Sequence, residues 1–223
     1  MMVPNTDDGH RIVQFLQSRG SNQCTRFTPQ EVNPQLLTST QLAITSNTGL
    51  VAAINAGAGL GSKQLALGEV MYNAELDGWE ASDFHRTCDG KGALLFLMRT
   101  TDDALIGAFS QESWKSIRGA EGLYVTDPNA FLFEIHSDGT MTKCTIKPGV
   151  GHAPRALHGQ SNLGPTFGSS PCDLAITSKP NENDSSADVH HSYTGPPGDE
   201  LLSYSGGGRK FFRLKSLVAV AVV

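Results

Sequence analysis

With 223 residues, 39% of them apolar and 17% charged, the chain is long enough to bury a core and suits one domain with irregular ends. A formal net charge of -5 argues against a non-specific nucleic-acid binder, which needs a dense basic surface; only Arg209, Lys210, Arg213 and Lys215 cluster. The start, MMVPNTDDGHR, lacks the basic and apolar blocks of a signal peptide, and the longest apolar run, residues 217–223, is far short of the ~20 residues that span a bilayer, so the expectation is a cytoplasmic protein without membrane insertion.

Residues 8–19 place Ile12, Val13, Phe15 and Leu16 on one side, between a candidate N-cap at Asp8 and a candidate stop at Gly20, which predicts an amphipathic helix. Residues 21–34 are polar and proline-punctuated and read as a linker. Leu36, Leu37, Leu42 and Ile44, then Leu50, Val51 and Ile54, give two short helical patterns. The expected organisation is an N-terminal helix and linker over 1–35, then one domain over 36–223. Gly57, Gly59, Gly61 and Lys63 do not make a phosphate loop, because Ser62 separates glycine from lysine and no hydroxyl residue follows; a flexible connector is the better reading. Residues 65–72 leave helix and strand open.

Ser82 offers a hydroxyl to cap a helix and Asp83 suits its positive end, while Asp89, Gly90 and Gly92 end it soon after; Phe84 and Cys88 then share a face. Residues 93–98 and 105–109 are apolar runs of strand length around a polar turn, a hairpin whose first strand is apolar on both sides. Both faces of its sheet must therefore be covered. After a turn over 111–117, residues 130–136 and 140–146 form a second hairpin about Ser137, Asp138 and Gly139. Residues 147–167 read as a long loop, 172–178 as a strand, 179–188 as a polar insert tending to disorder, and 211–223 as a closing strand. The 24 glycines and 11 prolines suit many turns between short strands, a mostly β fold with flanking helices.

Cys24, Cys88, Cys144 and Cys172 are too far apart for a zinc or disulfide framework and read as reduced thiols. His85, Cys88 and Asp89 could be imagined as base, nucleophile and orienting acid of a thiol hydrolase or peroxidase. A small buried cysteine before an Asp-Gly turn explains the same residues more simply. His152, His158, His190 and His191 lie in segments read as loops, where solvated side chains are expected rather than a metal site. Trp114 beside Lys115 is either a core residue, the preferred reading, or an anchor for a partner. Asn183, Asp184 and Ser185 fit a glycosylation pattern that means little without a secretory signal.

The order of these signals resembles the TLDc domain family, named for its association with TBC and LysM domains. The matching pieces are residues 72–78 (YNAELDG), 82–97 (SDFHRTCDGKGALLFL), 107–116 (GAFSQESWKS), 127–133 (DPNAFLF), 167–176 (FGSSPCDLAI) and the terminal strand. Within them Phe84, His85, Cys88, Asp89, Gly90, Trp114, Phe131, Phe133 and Asp173 are family-motif positions expected to be structural, and Lys115 is a candidate partner contact. The chain departs from the family at Ser169, Ser170, Pro171 and Cys172, where a glycine-rich turn is usual, and at Ala219, where many members carry an acidic residue. The resemblance implies a two-sheet antiparallel β-sandwich with flanking helices. It also implies a non-enzymatic interaction module without cofactor, linked to oxidative-stress resistance and to binding the vacuolar-type proton-pumping ATPase. A scaffolding subunit of another large assembly, such as a cytoskeletal one, is the alternative.

Overall fold

The computed structural model describes residues 67–117, 123–136, 141–195 and 209–222. In chain order they form β1 (Leu67–Asn73), α1 (Ala74–Asp77), α2 (Ala81–Cys88), β2 (Leu94–Thr100), β3 (Leu105–Ser110), β4 (Leu123–Val125), β5 (Phe131–Ile135) and β6 (Met141–Ile146). Then follow β7 (Leu157–Gly159), β8 (Leu163–Phe167), β9 (Leu174–Thr177), β10 (Ser185–Ala187), β11 (Tyr193–Thr194), β12 (Lys210–Phe212) and β13 (Leu214–Val222). The strands make a seven-stranded sheet, ordered β1-β13-β2-β3-β5-β6-β11, and a six-stranded sheet, ordered β12-β10-β9-β8-β7-β4. Neighbouring strands run antiparallel. The expected two-sheet sandwich is what forms.

Strand β2 shows why one sheet needs cover on both sides. Alternate side chains leave opposite faces, so Leu94, Phe96 and Met98 enter the core between the sheets, where Leu157, Phe167, Leu174 and Ile176 of the second sheet meet them. Leu95 and Leu97 point the other way and join Phe109, Phe131, Phe133 and Val218. The predicted β2–β3 and β5–β6 hairpins are both present. The closing strand β13 lies inside the seven-stranded sheet, between β1 and β2. At Gly107 the ring of Phe133 crosses the backbone so closely that an added Cβ would stand 2.1 Å from its Cζ and 2.6 Å from the Phe96 carbonyl oxygen. Gly107→Ala therefore overpacks the sheet and is expected to lower stability by about 2 kcal/mol, read from the urea midpoint.

Several expectations are corrected. The undecided residues 65–72 contribute the strand β1. The supposed loop over 147–167 contains all of β7 and β8. The supposed disordered insert is built into the second sheet: the Glu182 and Asn183 amides donate to the Lys179 carbonyl, and β10 then pairs with β9 and β12. It lacks an apolar signature because Ser185, wholly buried, satisfies itself by accepting from the Thr177 amide through Oγ. Helix α2 begins before Ser82, with Glu80 at its N-cap. The Ala81 amide is taken by Ser178 Oγ at 3.0 Å, and the Glu80 amide by Asp83 at 3.2 Å. The patterns over 8–19, 21–34, 36–54 and 57–63, and the turn at 137–139, lie outside the described residues.

Candidate functional site

Helix α2 is amphipathic, and its buried face carries Phe84, His85 and Cys88 onto the sandwich beside β1 and β8. His85 is 8% exposed, and its Nδ1 lies 2.9 Å from Asp89 Oδ1. Its Nε2 lies 2.9 Å from the Leu163 carbonyl and 3.2 Å from that of Gln160. Every one of these partners is an acceptor, so the arrangement favours the doubly protonated ring over either neutral tautomer. Burial opposes that charge, but the hydrogen bond and charge of Asp89, with the two carbonyls, outweigh it and hold the pKa above its ordinary value. Burial likewise opposes the Asp89 charge, and His85 and Ser116 overcome it, holding that carboxyl below the usual range. Asp89 Oδ2 accepts from the Ser116 amide at 2.9 Å and its hydroxyl at 2.6 Å.

The imagined nucleophile is placed otherwise. Cys88 is fully buried, its described side-chain partner is Thr87 Oγ1 at 3.6 Å, and burial pushes its thiol up to about 12. His85 is engaged by Asp89 and two carbonyls, so the helical neighbours do not form a thiol–imidazole pair. A Cys–His contact that sequence reasoning missed joins Cys172 Sγ to His158 Nδ1 at 3.6 Å, with the Tyr124 ring stacked on the imidazole. Burial, and then the charge of Asp173, push the Cys172 thiol up to about 11. Both thiols stay protonated near neutral pH, the opposite of what a cysteine nucleophile needs. His158 is thus a buried strand residue, contrary to the solvated loop side chain expected.

The cluster does mechanical work instead, tying the segment over 111–117 to the rest of the fold. Gly90 donates its amide to the Trp114 carbonyl at 2.9 Å, and an added Cβ on Gly159 would meet the Lys115 carbonyl at 1.8 Å. Trp114 is core, its indole edge-to-face with Phe84, Phe96 and Phe167. Lys115 and Ile117 stand exposed on the same braced segment. Asp127, not singled out from sequence, is fully buried and takes the amides of Gln111 at 2.7 Å and Glu112 at 3.0 Å. Asp173 plays the same part elsewhere, accepting from the amides of His191, Ser192 and Tyr193, while burial pushes its carboxyl up against their pull. Phe131 and Phe133 are not near this cluster; they lie on the far face of the seven-stranded sheet. Among the described residues no group of histidines, cysteines and carboxylates could hold a metal ion.

The TLDc domain matches residues 61–203, well over half of the chain. The protein belongs to the TLDc domain family. No curated protein matches it. In this TLDc fold, residues 72–78 build the end of β1 and α1, where the Asn73 side chain caps the helix by accepting from Glu75 and the Tyr72 hydroxyl donates to the Gly78 carbonyl at 2.7 Å. The strands β12 and β13 follow the matched residues yet belong to the same two sheets. Ala219, where an acidic residue is usual, is buried in the core between the sheets.

The TLDc brace at His85 has a pH signature. Its histidine part is complete below about pH 6.5 and is lost as pH rises through the raised folded value; its Asp89 part is complete above about pH 3.9 and is lost as pH falls through the lowered one. The network thus contributes most between those limits. His85→Gln is expected to reduce the unfolding free energy by about 2 kcal/mol at pH 6, and the difference from the parent protein should shrink by pH 9 in urea titrations.

Proposed function

We propose that the protein is a non-catalytic binding module of the cytosol that engages the vacuolar-type proton-pumping ATPase and through it contributes to resistance to oxidative stress. The observation that carries this reading is the braced surface segment: Lys115 and Ile117, the latter 43% exposed, sit on a backbone fixed by Asp89, Asp127 and Gly159. A surface ordered before binding loses little conformational entropy on association, and an exposed cation beside an apolar side chain suits a protein partner. Membership of the TLDc family supplies the choice of pump. No helix among the described residues is long and apolar enough to cross a membrane, so recruitment by a surface contact accords with the reading.

The test is co-sedimentation of the purified full chain with membranes carrying the pump, in ATP, in ADP and without nucleotide. Association is expected in at least one condition, and Lys115→Glu should weaken it about tenfold, or 1.4 kcal/mol, without moving the melting temperature. Absence of association in all three would overturn the proposal.

A further inference from the structure

Twelve lysines and arginines lie among the described residues, and ten of them have side-chain partners. Arg86, Arg99, Lys179, Arg209, Arg213 and Lys215 pair with carboxylates. Lys143 and Arg155 lie over the rings of Phe131 and Tyr124, Lys147 donates to the His190 carbonyl, and Lys210 is engaged as well. The two that remain are Lys91 and Lys115. Both are exposed, and their ammonium groups have neither ion pair, hydrogen bond nor ring contact. On a chain of net charge -5, an uncompensated pair of cations is a local reversal of sign.

The fold sets the two lysines near each other. The Gly90 amide donates to the Trp114 carbonyl at 2.9 Å and the Gly92 amide to Ser113 Oγ at 2.9 Å, while Asp89 and Trp114 form a parallel β-bridge. Lys91 follows Gly90 and Lys115 follows Trp114, so backbone dimensions keep their Cα atoms within about 11 Å. Their flexible four-carbon stems bring both ammonium groups within reach of one short acidic segment. The carboxylates that could have neutralised them are turned elsewhere. Asp89 holds His85 with Oδ1 and the Ser116 amide and hydroxyl with Oδ2, and Asp127 is buried on the amides of Gln111 and Glu112. Glu112 is exposed and forms no ion pair with either lysine.

We infer, resting on the binding role proposed for this segment, that Lys91 and Lys115 form a two-point site for an acidic segment of a protein partner, with an apolar side chain of that segment covering Ile117. Complementary charge steers the encounter and selects against wrong partners. The backbone under both lysines is already ordered, so the ordering cost falls on their side chains. Two cations are too few to displace the counterions of a nucleic-acid backbone or to hold the chain on an anionic bilayer, which leaves an acidic polypeptide as the class that fits.

The experiment has two arms, both on the full chain. In the first, the chain bound to membranes carrying the pump is treated with a carbodiimide, which joins an amine to a carboxylate without a spacer, and digested for mass spectrometry. Crosslinks from Lys91 or Lys115 to an aspartate or glutamate of a pump subunit are expected. Lys91→Glu should weaken co-sedimentation about tenfold, as Lys115→Glu does, at an unchanged melting temperature. Association undiminished in the Lys91→Glu, Lys115→Glu double variant, or crosslinks at other lysines only, overturns the inference and leaves the pump reading standing. Absence of association overturns the pump reading alone, and the second arm then decides the site. It titrates the isotope-labelled chain with the synthetic peptide Glu-Glu-Leu-Glu-Glu. Amide shifts confined to 90–92 and 115–117 are expected, shrinking with added salt and lost in the double variant. Shifts elsewhere, or shifts equal in parent and double variant, overturn the inference. So does retention on phosphatidylserine vesicles that the double variant loses, which assigns the lysines to a lipid surface instead.

Discussion

Asp173→Ala is expected to lower the melting temperature by roughly 10 °C. The carboxylate is fully buried and takes three amides, His191 at 2.9 Å and Tyr193 at 3.2 Å on Oδ1, and Ser192 at 2.8 Å on Oδ2. Each buried donor left without a partner costs about 1–3 kcal/mol. The three are neighbours and their losses do not add fully, so a total near 4 kcal/mol is reasonable. A domain of this size loses about 2–4 °C per kcal/mol. Asp173→Asn should fall between parent and alanine, because the amide keeps one oxygen acceptor and turns an NH2 group toward an amide that needs the other. The surrounding backbone allows no easy repair: Gly168, at φ 89°, approaches so closely that a Cβ there would meet Asp173 Oδ2 at 2.0 Å. Thermal unfolding of the three proteins at one pH checks the order parent, asparagine, alanine. Equal melting temperatures for parent and alanine would mean that the 191–193 loop is not held in this way.

What the sequence disclosed, and what it hid, follows from where each element gets its stability. The β2–β3 hairpin was legible because its burial is carried by large side chains, and the doubly apolar pattern of residues 94–98 announced a sheet covered on both faces. Strand β10 was hidden because Ser185, Ser186 and Ala187 hold their place by backbone pairing and a buried hydroxyl, which leave no hydrophobic period. His85 and Asp89, four apart on one turn, were legible as neighbours. The carbonyls of Gln160 and Leu163, 75 and 78 residues away, were not, and they occupy the ring nitrogen that a base would have to keep free. Asp127 was missed because an aspartate before proline reads locally as turn chemistry. Its hold on Gln111 and Glu112 exists only once β3 and β5 have paired.

Trp114→Ala should be the most destabilising single change in the braced segment, costing about 3–5 kcal/mol. The indole is 1% exposed, its ring centroid stands 5.6 Å from Phe84, 5.7 Å from Phe96 and 5.3 Å from Phe167, and its Nε1 donates to Ser110 Oγ at 3.0 Å. Truncation opens a cavity between rings contributed by both sheets and α2. Trp114→Phe keeps an aromatic in place and loses the hydrogen bond and part of the volume, so its expected cost is nearer 1–2 kcal/mol. Comparison with Lys115→Glu separates packing from recognition. A partner anchor at position 114 would let alanine weaken pump association at an unchanged melting temperature, as glutamate is expected to do at position 115. The buried geometry predicts a fall of roughly 10 °C or more for Trp114→Ala, with association below that transition affected only as far as the segment over 111–117 loosens. Binding lost by Trp114→Ala without loss of stability would instead put the indole in the interface and require the segment to open when the partner docks.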